Sequence, residues 1–162
     1  MFIENGKKPN EPYHATLGFW LPSNSPYGNL QLKHMKIIQR LDEANRRISD
    51  SLQFWNYCQT SGMIPTEVYA RHIFSNEEAV YMLRRAADEL VSLIWLLSRF
   101  ERDKVYPKKI EIDCLGKVIK NKQNYHEAFT EHIEIMIVLN DISNAFKHSF
   151  INSDHTLLGA EE

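Results

Sequence analysis

Turn-forming residues are scarce in this chain. There are six glycines and six prolines in 162 residues, and Pro9, Pro12, Pro22 and Pro26 all lie ahead of residue 30. The remainder has few places to break, so long helices are the expected outcome. The absence of a glycine-rich phosphate loop excludes the usual ATP and dinucleotide chemistries, and no Gly-x-Ser-x-Gly elbow is present. Two cysteines, Cys58 and Cys114, are too few for a secreted disulfide scaffold and read as reduced thiols of a cytosolic protein. Neither Cys-x-x-Cys nor His-Glu-x-x-His occurs, and the one Glu-x-x-His, Glu11 to His14, lies among prolines. No metal or other cofactor is expected. The longest apolar segment, Leu90 to Leu97, contains Ser92 and falls far short of the ~20 residues that span a bilayer. Residues 1–10 hold no apolar run of the signal-peptide kind. The expected setting is soluble and cytoplasmic, without a membrane partner. Net charge is -2, so any contact with nucleic acid must come from a local patch.

What is present is core material: 43% of residues are hydrophobic, enough for one domain of ordinary size. A proline-rich arm over 1–28, packed on the body, should precede a helical bundle over 29–150 and a polar tail over 151–162. In the arm, Thr16 to Leu21 is apolar and aromatic, with Trp20 the expected anchor. A first long helix over Asn29 to Gln59 carries Ile38, Leu41, Ala44, Ile48, Leu52 and Trp55 at steps of three and four. Ser61-Gly62 ends it, and the connection from Met63 to Phe74 contains Pro65. Ser75-Asn-Glu-Glu78 fits a capping box and predicts the start of a second long helix. Its stripe runs from Ala79 to Phe100, and it stops near Asp103 ahead of Pro107. Cys114, Leu115, Val118 and Ile119 predict a short helix weakened by Gly116. A last helix over Tyr125 to Phe150 has its stripe at Phe129, Ile133, Met136, Leu139, Ile142, Ala145 and Phe146. Three long amphipathic helices with one or two short ones make an all-α, single-domain bundle.

Two features point beyond packing. Lys104, Lys108, Lys109, Lys117, Lys120 and Lys122 crowd one segment against Glu111 and Asp113. Such a run is either a solvated loop or a phosphate-binding patch, in which Lys117, Lys120 and Lys122 are the candidates for RNA. The last helix places Asn140, Asn144, Lys147 and His148 near its C-terminal end. Asn140, Asn144 and His148 form a row at steps of four, where a helix that only filled a core would carry Leu or Ala. An imidazole moves protons near neutral pH, Lys147 offers positive charge, and Asn144 can orient the imidazole or a phosphate. The alternative is a helix end finished with cations that complement its dipole. Arg84 and Arg85, four residues before Asp88 and Glu89, have the spacing of ordinary surface pairs. Trp55 and Trp95 read as core. Phe54 and Tyr57 widen the first helix's apolar surface beyond one stripe, as a dimer contact would.

The run Asn140-Asp-Ile-Ser-Asn-Ala-Phe-Lys-His148, at the end of a helical bundle of this size, resembles the HEPN superfamily. In that family an Arg, a polar residue, several variable residues and a His lie on the final long helix. Two protomers bring these motifs together, and active members cleave RNA without metal. The resemblance implies that His148 takes the His position and Asn144 the polar position, in a cleft shared by a homodimer. It places Ser143 where the family has Arg, and no Arg occurs after Arg102. Ser cannot supply the fixed positive fork that Arg offers a phosphate. The resemblance further implies a toxin–antitoxin or phage-defence setting, with RNA or an antitoxin-like protein as partner.

Three readings of function follow. One is a dimerising HEPN-like domain that binds RNA or a protein partner through Asn144, Lys147 and His148, without strong catalysis. Another is a metal-independent endoribonuclease, with His148 as general base or acid, Lys147 stabilising phosphate charge and Asn144 orienting the substrate. The third is a structural helical adaptor whose polar cluster is only a helix end. Whether the chain is an enzyme stays open between them.

Overall fold

The computed structural model describes residues 20–62, 65–120, 129 and 131–148, and among these it is helical, with no strand. The elements are α1 (Leu30–Thr60), α2 (Thr66–Asp103), α3 (Leu115–Lys120) and α4 (Ile133–His148). The expected all-α bundle is what forms. Residues 1–19, which hold most of the expected arm, residues 149–162, which hold the expected tail, and the segment 121–128 expected to open the last helix lie outside the described residues.

α1 begins where Asn29 caps it, the side-chain oxygen accepting from Leu32 N at 3.1 Å. Ahead of it the arm turns at Gly28, whose φ of 85° suits glycine and whose N–H donates to Ser25 O at 2.9 Å. Leu21 and not Trp20 anchors this entry. Leu21 is buried in the core, whereas Trp20 is 70% exposed. Gln31 Nε2 donates to Leu21 O at 2.7 Å, and Leu30 N to Pro22 O at 3.0 Å, which pins the arm's end to the first turn of α1.

α2 starts ten residues before the Ser75 box predicts. Pro65 leads in with extended backbone, and no glycine or proline interrupts Thr66 to Phe74. Arg71 reaches Glu67 at 2.7 Å in an i,i+4 pair that supports the added turns. Ser75 is therefore a buried mid-helix residue, and Glu78 pairs with Arg47 of α1 at 2.9 Å instead of closing a box. The helix ends at Lys104, a left-handed residue (φ 55°) whose N–H returns to Phe100 O at 2.8 Å.

Arg40 with Glu89, Arg47 with Glu78 and Ser51 with Asn76 pair α1 and α2 in opposite directions, so the two form an antiparallel hairpin. The fully buried positions of α1 are Leu30, Ile37, Ala44, Ser51 and Cys58, one every seven residues. Ala79, Ala86 and Leu93 of α2 repeat the same interval. A seven-residue repeat is the signature of coiled-coil packing. Side-chain size falls along the α1 seam, from Leu and Ile to Ala, Ser and Cys. Large residues fill the end where α3 and α4 add to the bundle, and small ones let the helices approach near their connection. The expected stripe was one row off at its far end: Leu52 and Trp55 are 44% and 47% exposed. Trp55 lies instead against His72, with ring centroids 5.4 Å apart.

α3 and α4 cover a second side of α2. Val91, Leu115, Val118 and Phe129 form the buried centre there, with Ala87, Ile94, Ile133, Met136 and Leu139 packed around it. α4 has no fully buried residue of its own. Its outer face carries Ile135, Val138 and Ile142, all exposed.

The narrow end of the hairpin holds a polar pin. Ser51 Oγ donates to Asn76 Oδ1 at 2.7 Å and lies 2.9 Å from His72 Nδ1. His72 Nδ1 is also 3.1 Å from the Ser51 carbonyl, which can only accept, so the ring proton sits on Nδ1. Ser51→Ala should remove the bond to Asn76 and leave His72 only the backbone carbonyl of residue 51, lowering stability by about 0.5–1.5 kcal/mol, read as a shifted urea midpoint at unchanged slope. An unchanged midpoint would show that the pin contributes nothing.

Candidate functional site

The polar residues of α4 meet α2 through a salt bridge. Arg84 Nε reaches both carboxylate oxygens of Asp88, one turn on, at 3.0 and 3.1 Å. Asp88 Oδ1 also accepts from Leu115 N at 2.7 Å, which satisfies a free donor at the start of α3. Arg84 Nη1 then crosses to α4 and donates to Asn140 Oδ1 at 2.6 Å. Asn140 Nδ2 in turn donates to Asp141 Oδ1 at 3.1 Å. The Arg84 side chain is only 16% exposed, so this network works away from bulk water.

Beside the network lies a cavity of about 440 Å³ between α2 and α4. Tyr81, Arg84 and Arg85 line it from α2, and Ser143, Asn144 and Lys147 from α4. Helical geometry explains the grouping: at about 100° per residue, Asn140, Asn144 and Lys147 fall within roughly 60° of one another. This sector continues the core-facing side of α4, which turns from apolar at Ile133 and Met136 to polar at its C-terminal end. His148 lies about 100° round from Lys147. It is exposed and does not line the cavity. The structure thus brings Asn144 and Lys147 together and leaves His148 on the flank.

The arrangement can hold an oxyanion. Lys147 offers an ammonium group, Asn144 an amide, and Arg85 the guanidinium nitrogens that its 3.1 Å pair with Glu89 does not use. Tyr81, more than half exposed, offers an aromatic face at the rim. Arg84 and Arg85 do form the i,i+4 pairs that the spacing predicts. The spacing did not show that Arg84 also reaches a third helix. A signal existed: Val80, Arg84, Ala87, Val91 and Ile94 step by four, three, four and three. Arg84 therefore continues the apolar row that faces α3 and α4.

The lysine segment behaves differently. Lys117 pairs with Asp113 at 2.9 Å, and this hydrogen bond holds the ammonium above its ordinary pKa and the Asp113 carboxyl below its own. Lys120 is exposed on α3, and Lys122 lies outside the described residues. The Ser51–His72–Asn76 cluster, which the sequence did not mark, superficially resembles a nucleophile set. Its geometry excludes that role, because Ser51 is buried and its proton already goes to Asn76. Among the described residues no group of His, Cys, Asp and Glu could hold a metal ion, and no helix is long and apolar enough to cross a membrane.

Comparison of the chain with protein-family models, curated proteins and solved structures found no match.

The Asp88 carboxylate caps α3 and anchors Arg84 at once, so its loss should be costly. Asp88→Ala is expected to lower stability by about 2–3 kcal/mol, the sum of a lost cap and a half-buried guanidinium left with one partner. Thermal unfolding measures this. A loss below about 0.5 kcal/mol would show that the junction does not hold α3.

Proposed function

We propose that this chain is a dimerising, HEPN-like domain that binds RNA in the cavity between α2 and α4, with weak or no cleavage. The observation that carries the reading is the placement of Arg84. The sequence leaves Ser143 where the resemblance calls for a guanidinium. A guanidinium from α2 arrives at the same group of side chains, bonded to Asn140 and lining the cavity with Asn144 and Lys147. Its Nε is committed to Asp88 and its Nη1 to Asn140, and His148 lies outside the cavity, which favours binding over turnover. Lys147→Glu should weaken binding of a labelled single-stranded RNA about tenfold, the worth of one charged hydrogen bond, with the helical CD signal unchanged. Unchanged affinity would remove the cavity from the RNA site.

The endoribonuclease reading is kept by one observation, the exposure of His148. A cleavage assay on the purified chain should give weak or no product, insensitive to EDTA. Robust turnover that His148→Ala abolishes would make the nuclease the better reading.

The dimer contact in this proposal is the outer face of α4. Ile135, Val138 and Ile142 sit at one side of the helix, 69%, 54% and 42% exposed, and apolar stripes of this kind favour burial against a second surface. Light scattering should return about twice the chain mass of 19.0 kDa, and Ile135→Glu with Val138→Glu should restore a monomer. A monomeric native chain would refute the contact.

A further inference from the structure

The cavity between α2 and α4 has a neighbour. A second cavity, of about 390 Å³, lies between α1 and α2, and Arg85 lines both. From the shared arginine the second cavity extends along α2 past Glu89 and Ser92, with Lys33, Lys36 and Arg40 of α1 on its other wall. The two cavities therefore abut at one side chain and follow the same edge of α2.

Their charge is out of keeping with the chain as a whole. Together they present Lys33, Lys36, Arg40, Arg84, Arg85 and Lys147 against the carboxylates of Glu77, Asp88 and Glu89, three net positive charges on a chain whose total is -2. The cations differ in how free they are. Arg40 grips Glu89 with Nε and Nη2, both at 2.9 Å, and this fork holds the Glu89 carboxyl below the usual carboxylate range. Arg85 adds a third contact to the same carboxylate. Glu89 thus serves as an organiser, fixing two guanidinium groups while neutralising only one. Lys33 and Lys36 are exposed and meet no carboxylate among the described residues. The contrast with Lys117, already paired with Asp113, is direct. An ammonium group without an internal partner is the one that gains from a phosphate and its released counterions.

We infer that the two cavities form one track for a single-stranded RNA, which enters over Lys33 and Lys36, passes Arg85 and ends at Lys147. This rests on the proposed RNA-binding function and assigns its path to the α1–α2 edge in place of the lysine segment after α2. A single strand fits better than a duplex. The track is a pair of half-open clefts with an aromatic ring, Tyr81, exposed at one end, and single-strand sites combine such a ring with a basic groove along the backbone. A duplex would need a broad exposed face. An acidic protein segment would meet the same charges but has no use for a stacking surface.

The test is fluorescence anisotropy with the full chain and labelled oligouridylates of ~4 and ~12 nucleotides, lengths within the range of single-strand sites. Lys33→Glu with Lys36→Glu should weaken the longer probe at least tenfold and lower its salt slope by about 1.4, two single-strand phosphate contacts. The shorter probe, held at the α2–α4 end, should change less than twofold. Lys117→Glu with Lys120→Glu, tested for the competing surface, should change neither. Equal affinity of native chain and Lys33/Lys36 variant for the longer probe overturns the track, while continued loss in Lys147→Glu would leave the cavity itself standing. A larger effect from Lys117 and Lys120 moves the path to α3. No binding of either probe by the native chain overturns both the track and the function beneath it. Competition by a polyglutamate peptide as effective as the longer oligouridylate, mole for mole, would also overturn the RNA assignment.

Discussion

One carboxylate holds the bundle's third and fourth helices in register with its second. Asp88 accepts from Arg84 on its own helix and from the backbone of Leu115 at the start of α3. Arg84, steadied by that bond, reaches Asn140 of α4. Three helices therefore meet at two side chains. A six-residue helix such as α3 is far too short to persist on local hydrogen bonds alone. It persists here because an external acceptor satisfies one of its free donors and because Leu115 and Val118 are buried against Val91. The polar junction and the apolar cluster are adjacent along α2, and the first fixes orientation where the second supplies most of the burial.

α2 does two jobs that pull on its sequence in different ways. Toward α1 it shows Ala79, Ala86 and Leu93 at seven-residue intervals, the pattern of a seam between two long helices. Toward α3 and α4 it shows Arg84, Ala87, Val91 and Ile94, a row that begins charged and becomes apolar. The change along that second row marks where the core stops and the cavity begins. α4 mirrors it, apolar at Ile133 and Met136 and polar from Asn140 onward. Two facing helices that both turn polar at the same level leave a wet space between them, because neither offers apolar surface worth closing. The cavity is a consequence of this matched change in pattern.

Much of this architecture is legible in the chain. The long helices, the Asn29 start, the stop after Asp103 and the short α3 follow from periodicity, from caps and from the placement of prolines. Besides Trp20, which gives its expected anchoring role to Leu21, two expectations went astray for stated reasons. The Ser75 box has the right residues for a helix start, but Thr66 to Phe74 contains no breaker, and Ser51 and Cys58 of α1 need partners opposite them. Tertiary demand therefore extended α2 by more than two turns. The α1 stripe was misplaced because Ser51 and Cys58 were not counted as core, although small side chains are what a close helix pair requires. In the candidate site, Asn144 and Lys147 were legible as polar residues on an otherwise apolar side. Arg84 was not, because an i,i+4 pair to Asp88 looks the same whether it faces water or a third helix.

If the proposed HEPN-like reading holds, the position of Arg84 also changes what Ser143 means. On α4 alone, Ser in place of Arg reads as a lost function. A guanidinium is defined by where its nitrogens lie, and not by which helix carries its Cα. Arg84 sends its nitrogens across the gap from α2, at the cost of one of them being tied to Asp88 and one to Asn140. Fixed in this way, it would not follow a phosphate that moves during a reaction, but it would present a steady positive wall to one that stays in place, as the proposed binding function requires. The same logic applies to Arg40 and Arg85, both tethered to Glu89. On the proposed reading, tethered guanidinium groups would define where an RNA backbone can lie, and Lys33, Lys36 and Lys147, which pair with no carboxylate among the described residues, would supply the attraction that draws it there. Such a division of labour would let a chain of net negative charge hold the proposed positive path along one edge of a single helix.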